Sequence, residues 1–308
     1  MDRRAFLSAA LAARQAAVPS SIVDSHIHLY DPTRPKGVPW PEKDSSIYRR
    51  ILPADFRRTA APFGVAAAVA VECSPWVEDN QWVLDLISTE PAILGLVGNI
   101  EPGTAEFPRL LSRFRRNPLF LGIRFGYLWG RDLSEALQKP ATLDHLRLLA
   151  RAGLTLDTAG PPKLARDLLI IADQAPGLRI VIDHLPGVEP PRQPAALAAW
   201  HTRLRELADR PGIFVKLSAV LRRAGDRVPL DAAFYRDRLD FICDTFGPDR
   251  LLFGSDWPNS EPLGSYQQVL GVVQSYFTAR GQAPLEGFFW RNSQSAYRWK
   301  PRAAGQPR

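Results

Sequence analysis

Short apolar runs rich in β-branched residues alternate along the chain with longer segments in which apolar residues recur every three or four positions. The runs indicate buried strands, and the longer segments place their apolar residues on one face of a helix. Regular alternation of the two predicts βα units built on a parallel sheet. Eight strands are predicted, over Ile22–His28, Ala66–Glu72, Leu94–Ile100, Leu119–Phe125, Leu154–Asp157, Arg179–His184, Gly212–Ser218 and Leu251–Asp256.

Eight strands, each followed by a helix, predict an α/β protein with the fold of a (β/α)8 TIM barrel. The alternative is a doubly wound open sheet, which favours a glycine-rich turn after the first strand. Here the first strand is followed by Leu29-Tyr30-Asp31-Pro32, and no glycine occurs before Gly37. We therefore predict that residues 21–308 form a single barrel domain.

The N-terminus carries a separate signal, because Arg3-Arg4-Ala5-Phe6-Leu7 opens a short alanine-rich apolar run. This arrangement resembles a twin-arginine export signal. Arg14 interrupts the run, and an amphipathic N-terminal helix is the alternative. Residues 1–20 are thus expected to be a signal or a disordered N-terminus. A functional signal predicts a periplasmic protein, and its absence a cytoplasmic one.

Composition narrows the class of protein. The 308 residues are 45% hydrophobic and 23% charged, as in globular domains, and no apolar stretch is long enough to span a membrane. Cys73 and Cys243 are too few for a disulfide framework and are interpreted as small buried hydrophobes. The net charge is +7, but the basic residues are scattered among acidic ones. A small-molecule partner is therefore expected, and neither nucleic acid nor membrane.

Polar residues lie where the predicted strands end, and in a barrel the carboxyl ends of all strands meet at one mouth. His26 and His28 are two positions apart on the first strand, so both point to the same face. His184 ends the sixth strand and Asp256 the eighth. These four residues are the candidate catalytic group, and the two histidines of the first strand can together chelate one ion.

Two strand-end cations are candidates for substrate binding. Arg124 and Lys216 end the fourth and seventh strands, which favours an anionic or oxygen-rich substrate. The alternative for Arg124 is an internal salt bridge to Glu72 or Asp157. Three tryptophans in predicted mouth loops are candidate walls for a ring-shaped substrate, with packing on the barrel rim as the alternative: Trp40, Trp76 and Trp257.

Several of these segments together resemble the amidohydrolase superfamily, and within it the amidohydrolase-related branch that includes pyrone-dicarboxylate lactonase and sugar-acid lactonases. The resemblance extends from about residue 21 to Asn292. It rests on Val23-Asp24-Ser25-His26-Ile27-His28, Gly122-Ile123-Arg124, Ile182-Asp183-His184, Val215-Lys216-Leu217-Ser218 and Phe253-Gly254-Ser255-Asp256-Trp257-Pro258.

The resemblance has consequences for the metal content. Superfamily members with two metals supply a bridging Lys or Glu from the fourth strand and a His from the fifth, whereas here these strands end in Arg124 and Asp157. The resemblance therefore implies either one divalent ion, held by His26, His28, His184 and Asp256, or metal-independent activity. Three histidines and a carboxylate suit zinc or manganese.

The activity implied by the resemblance is hydrolysis of a lactone. Water attacks the ring carbonyl, the histidines or their ion polarise it, and Asp256 moves the proton from the water to the leaving oxygen. No G-x-S-x-G motif indicates a serine nucleophile. The alternatives are a metal-dependent decarboxylase of an aromatic or related acid, hydrolysis of another ester or amide, and a basic binding protein with an inactive barrel.

Overall fold

A computed structural model describes residues 18–308 and shows eight parallel strands in one sheet, hydrogen-bonded in the order of the sequence. All eight predicted strands are confirmed, with ends that differ from the prediction by a few residues. Arg3–Leu7, on which the export prediction rests, lies outside the described residues. The strands are β1 Ile22–Ile27, β2 Val65–Val71, β3 Ile93–Gly98, β4 Phe120–Arg124, β5 Thr155–Thr158, β6 Arg179–Ile182, β7 Ile213–Leu217 and β8 Leu251–Phe253.

The sheet closes into a barrel where β1 meets the segment that follows β8. Ile27 forms a parallel bridge with Trp257, whose carbonyl accepts a hydrogen bond from the backbone N–H of His28 (2.9 Å). One step earlier, the backbone N–H of Asp256 donates to the carbonyl of His26 (3.0 Å). The predicted (β/α)8 TIM barrel is confirmed, and its closing seam sets Asp256 beside the two histidines of β1.

Helices surround the barrel, and several begin with residues suited to a helix start. Proline occupies the first turn of the helices that start at Pro53, Pro140 and Pro194, where its missing N–H costs nothing. None of the described helices is long and apolar enough to cross a membrane. The α-helices are α1 Pro53–Ala60, α2 Glu78–Ser88, α3 Phe107–Phe114, α4 Leu133–Ala136, α5 Pro140–Arg151, α6 Leu164–Gln174, α7 Pro194–Ala208, α8 Ala232–Phe246, α9 Tyr266–Thr278, α10 Gln282–Glu286 and α11 Asn292–Tyr297.

The C-terminal segment packs against strand residues in a buried cluster. Tyr297 and Trp299 lie in this cluster together with Val69 and Val181. The Tyr297 hydroxyl donates a 2.5 Å hydrogen bond to Asp157 at the end of β5. The end of α11 therefore contacts a polar residue of β5 directly.

Gly254, between β8 and Asp256, is a position where the barrel has no room for a side chain. A Cβ there would lie 2.8 Å from the Cβ of His26 and 3.2 Å from that of Ser218. We expect Gly254→Ala to lower the free energy of unfolding by about 1–3 kcal/mol, the usual cost of overpacking. A Cβ added at Gly271 in α9 would meet no atom within 4 Å, so Gly271→Ala should instead raise it by roughly 0.5–1 kcal/mol. Denaturant titration of both variants checks this, and equal effects would contradict the close packing at Gly254.

Candidate active site

The four side chains predicted from strand ends come together at the mouth of the barrel. Oδ1 of Asp256 lies 3.3 Å from Nε2 of His28 and 3.7 Å from Nε2 of His26. The Nε2 atom of His184 lies 4.0 Å from the same oxygen. One carboxylate oxygen is therefore surrounded by the Nε2 atoms of three imidazoles.

Contacts behind two of the rings orient them toward Asp256. Nδ1 of His28 lies 3.0 Å from the Val71 carbonyl, which can only accept, so this nitrogen carries a proton. Nδ1 of His184 lies 2.8 Å from the Ser218 hydroxyl. An outer contact of this kind fixes the ring orientation in sites where histidine binds a metal.

The backbone is left-handed at two of the four residues. His184 has φ 54° and Asp256 has φ 59°. Such a conformation costs a non-glycine residue on the order of 1 kcal/mol and persists only where the surroundings hold it. Both residues follow strands that end two or three positions earlier, so the strain lies where their side chains turn into the mouth.

Unpartnered polar atoms at this point fit a divalent cation. His26 Nε2 and Asp256 Oδ1 are buried and have no hydrogen-bond partner. One ligand atom from each of His26, His184 and Asp256 lies within 4.8 Å of the others, and no second such group of at least three occurs within residues 18–308. Imidazole nitrogen and carboxylate oxygen are donors that suit a first-row divalent metal. His28, predicted as a fourth ligand, faces the same carboxylate oxygen but lies outside this group of three.

Asp256 is held as a carboxylate. Burial by itself raises the pKa of Asp256, but the three nearby imidazoles, that of His184 first, outweigh burial, so the pKa lies below its ordinary value. Its second oxygen, Oδ2, accepts a 2.9 Å hydrogen bond from Nδ2 of Asn259. Asn259 thus fixes which oxygen faces the histidines.

A network of buried charges lies beneath these residues. Lys216 is fully buried, and its Nζ lies 2.7 Å from Asp157 and 3.1 Å from Asp183. The same Nζ lies 3.3 Å from Nδ1 of His26. Lys216 is absent from the residues that line the mouth pocket, so in this structure it contacts protein carboxylates and not the space available to a substrate.

Arg124 lines the pocket and forms an internal ion pair as well. Its Nε lies 2.9 Å from Oδ2 of Asp183, and its Nη2 lies 3.2 Å from Nε2 of His184. Arg124 therefore forms an internal salt bridge, as the alternative prediction states, but its partner is Asp183 and not Glu72 or Asp157. Burial lowers the pKa of Arg124, but the surrounding carboxylates, Asp183 first, outweigh it and raise the pKa overall.

The pocket above the four residues has a volume of about 380 Å³. Trp40 forms part of its wall, and its ring meets that of His28 edge-on with centroids 5.6 Å apart. It is lined by His28, Trp40, Glu72, Cys73, Arg124, Leu128, Trp129, Ala159, His184, Asp256 and Asn259.

The other two candidate tryptophans do not line this pocket. Trp257 is 1% exposed, packs against Phe56 and donates its indole N–H to Glu261. Trp76 lies under the ammonium group of Lys36, 4.1 Å from the ring centroid. The alternative of packing describes Trp257, whereas Trp76 contacts Lys36.

Trp129 and Glu72 line the pocket but were not predicted as substrate contacts. Trp129 lies between β4 and α4, and its indole N–H donates to both oxygens of Glu72 at 3.0 and 3.2 Å. Trp129 has φ 61° and is followed by Gly130 at φ 73°. A tryptophan beside a glycine in a loop at the carboxyl end of a barrel strand was the available signal, since such loops build the mouth.

Comparison with known proteins finds relatives in sequence and in fold. An L-fucono-1,5-lactonase from Burkholderia ambifaria is 30% identical over 246 residues, which are 79% of this chain and 82% of the relative. A solved amidohydrolase from Burkholderia multivorans with bound zinc is 23% identical, with a TM-score of 0.79 over 91% of this chain and 100% of that one. A probable 2-pyrone-4,6-dicarboxylic acid hydrolase from Acinetobacter baumannii, with citric acid bound, is 19% identical with a TM-score of 0.71 over the same shares.

At these identities the two solved structures support the fold alone. A family model described as amidohydrolase matches residues 23–299, nearly the whole described chain, and confirms the resemblance drawn from the strand-end motifs. The chain belongs to the amidohydrolase family.

Proposed function

We propose that the protein hydrolyses a lactone by attack of water on the ring carbonyl. The observation that carries the proposal is Oδ1 of Asp256, a buried carboxylate oxygen without a hydrogen-bond partner that faces three imidazoles in a pocket large enough for a sugar-sized ring. The family membership and the L-fucono-1,5-lactonase relative support the same reaction class.

The residues have separable roles in this reaction. Asp256 accepts the proton of the attacking water and returns it to the ring oxygen as the acyl–oxygen bond breaks. Arg124 holds two groups beside the site, because its Nε pairs with Asp183 and its Nη2 contacts Nε2 of His184. Asn259 donates a hydrogen bond to Oδ2 and thereby holds the carboxylate in this orientation.

A divalent ion, zinc or manganese, is proposed at His26, His184 and Asp256, with His28 beside them. When bound there, such an ion polarises the lactone carbonyl and lowers the pKa of water. We expect elemental analysis of the purified protein to find at most one tightly bound divalent ion per chain, because β4 ends in Arg124 and β5, Thr155–Thr158, contains no histidine. Two ions per chain would contradict the assigned ligands.

A panel of lactones in weakly buffered pH indicator tests the reaction, because each ring that opens releases an acid. The same panel should include aromatic carboxylic acids, whose decarboxylation consumes a proton and releases carbon dioxide. Acid release from lactones supports the proposal. Carbon dioxide release from the acids, with no lactone opened, would instead support the decarboxylase alternative.

Export by the twin-arginine route is proposed from Arg3-Arg4-Ala5-Phe6-Leu7. Replacing Arg3 and Arg4 by Lys is expected to retain a C-terminally tagged protein in the cytoplasm, while the unmodified protein reaches the periplasm. Cell fractionation followed by N-terminal sequencing measures this. An unmodified protein found in the cytoplasm with Met1 intact would contradict export.

A further inference from the structure

Glu72 is a buried carboxylate in the pocket wall that the proposed reaction does not use. It follows β2 and is 6% exposed. Its Oε2 accepts a hydrogen bond from the backbone N–H of Ser74 (3.0 Å), and the indole N–H of Trp129 lies between its two oxygens. Two N–H groups hold the carboxylate in place and leave part of its capacity of about four hydrogen bonds unused.

No cation neutralises Glu72 directly. Among residues 18–308, no Lys, Arg or His forms an ion pair with it. The one guanidinium that lines the pocket, that of Arg124, is already paired with Asp183, and Lys216 lies beneath the pocket between two carboxylates. Burial raises the pKa of Glu72 by more than the charge of Arg124 and the hydrogen bond from Trp129 lower it.

These charges decide which lactones fit. A carboxylate on the substrate would meet the carboxylate of Glu72, and the guanidinium of Arg124, which lines the same pocket, is already paired with Asp183. A hydroxyl group on the substrate would instead find an acceptor with spare capacity. Hydrogen bonds from a hydroxyl to a carboxylate are short and stronger than those between neutral groups.

We propose that Glu72 selects neutral, hydroxylated lactones by accepting hydrogen bonds from ring hydroxyls, and that it excludes lactones bearing a carboxylate. The proposal rests on the proposed lactonase function and narrows the expected anionic or oxygen-rich substrate to the uncharged, polyhydroxylated class. Trp129 assists as a positioning residue, because its indole N–H holds the carboxylate while its ring lines the same pocket.

Three substrates and a conservative variant test the proposal. An aldono-1,5-lactone carries ring hydroxyls, δ-valerolactone carries none, and an aldarate lactone carries hydroxyls and a carboxylate. Glu72→Gln keeps the shape of the side chain but removes its charge. We expect kcat/KM for the aldono-1,5-lactone to fall about 10- to 100-fold, the range for loss of a hydrogen bond to a charged group. For δ-valerolactone it should stay within about twofold, and for the aldarate lactone it should rise.

Glu101→Gln is the matched control. Glu101 pairs with Arg131 and is 40% exposed, so its replacement should leave the ratios among the three substrates unchanged. The wild-type enzyme provides a test that does not depend on the folding of a variant. We expect its kcat/KM to be at least about tenfold higher for the aldono-1,5-lactone than for the aldarate lactone.

The outcomes separate the two proposals. If Glu72→Gln lowers kcat/KM equally for all three lactones, or if wild-type enzyme prefers the aldarate lactone, the role of Glu72 is overturned while lactone hydrolysis stands. If wild-type enzyme opens none of the three and no other lactone of the panel, the lactonase function fails, and the role of Glu72 fails with it.

Discussion

Asp256→Asn is expected to lower kcat by about 10²- to 10⁴-fold, the contribution typical of a general base. Asparagine keeps the shape of the side chain and one acceptor oxygen but cannot take up a proton near neutral pH. Because Asp256 lies at the closing seam and its backbone N–H bonds to the carbonyl of His26, the barrel contacts made by the main chain persist in the variant. The loss should therefore appear in kcat, with the protein still folded.

Two measurements make this result interpretable. Metal content must be determined on the same sample, because Asp256 is also an expected ligand, and thermal denaturation must show a folded protein. Asp249→Asn changes an exposed carboxylate before β8 and serves as the control, with kcat expected to match wild type. A folded Asp256→Asn protein with normal metal content and near wild-type kcat would contradict this role and assign the proton transfer to one of the histidines.

The position of the candidate catalytic group was predictable because, in a parallel barrel, residues at the carboxyl ends of the strands lie together. His26 lies near the end of β1, and His184 and Asp256 follow β6 and β8. Parallel strands bring such ends to one mouth whatever their separation in sequence. The strand pattern was enough to place them, and the structure brings them within 4.8 Å of one another. Only the location of the strand ends was needed, and buried apolar runs mark those clearly.

Side-chain direction was not predictable in the same way. Lys216 and Arg124 both end strands, yet one lies beneath the pocket and the other lines it. Which of the two reaches the pocket depends on the stagger between neighbouring strands, and a sequence does not display this stagger. The tryptophans differ for a related reason, since the path of a loop decides whether a ring lines the pocket, as that of Trp40 does, or is buried, as that of Trp257 is.

Lys216→Met is expected to lower the free energy of unfolding by about 3–5 kcal/mol, the usual cost of removing one partner from a buried ion pair. Lys216 is fully buried between Asp157 and Asp183. Without it, Asp183 keeps Arg124 as a partner, but Asp157 retains only the hydroxyl groups of Tyr297 and Thr155. Methionine fills a similar volume, so the change is chiefly one of charge and leaves a buried carboxylate uncompensated.

Two further variants separate this structural role from the substrate contact expected of a strand-end lysine. Lys163→Met removes an ammonium that is 51% exposed and paired with Asp132, a surface ion pair worth at most about 1 kcal/mol. Adding Asp157→Asn to Lys216→Met removes the uncompensated charge and should recover part of the lost stability, because the remaining groups are then neutral. Denaturant titration of the three variants gives the free energies of unfolding. If Lys216→Met were as stable as wild type and instead raised KM, Lys216 would be a substrate contact after all, and the pocket would have to extend below the histidines to reach it.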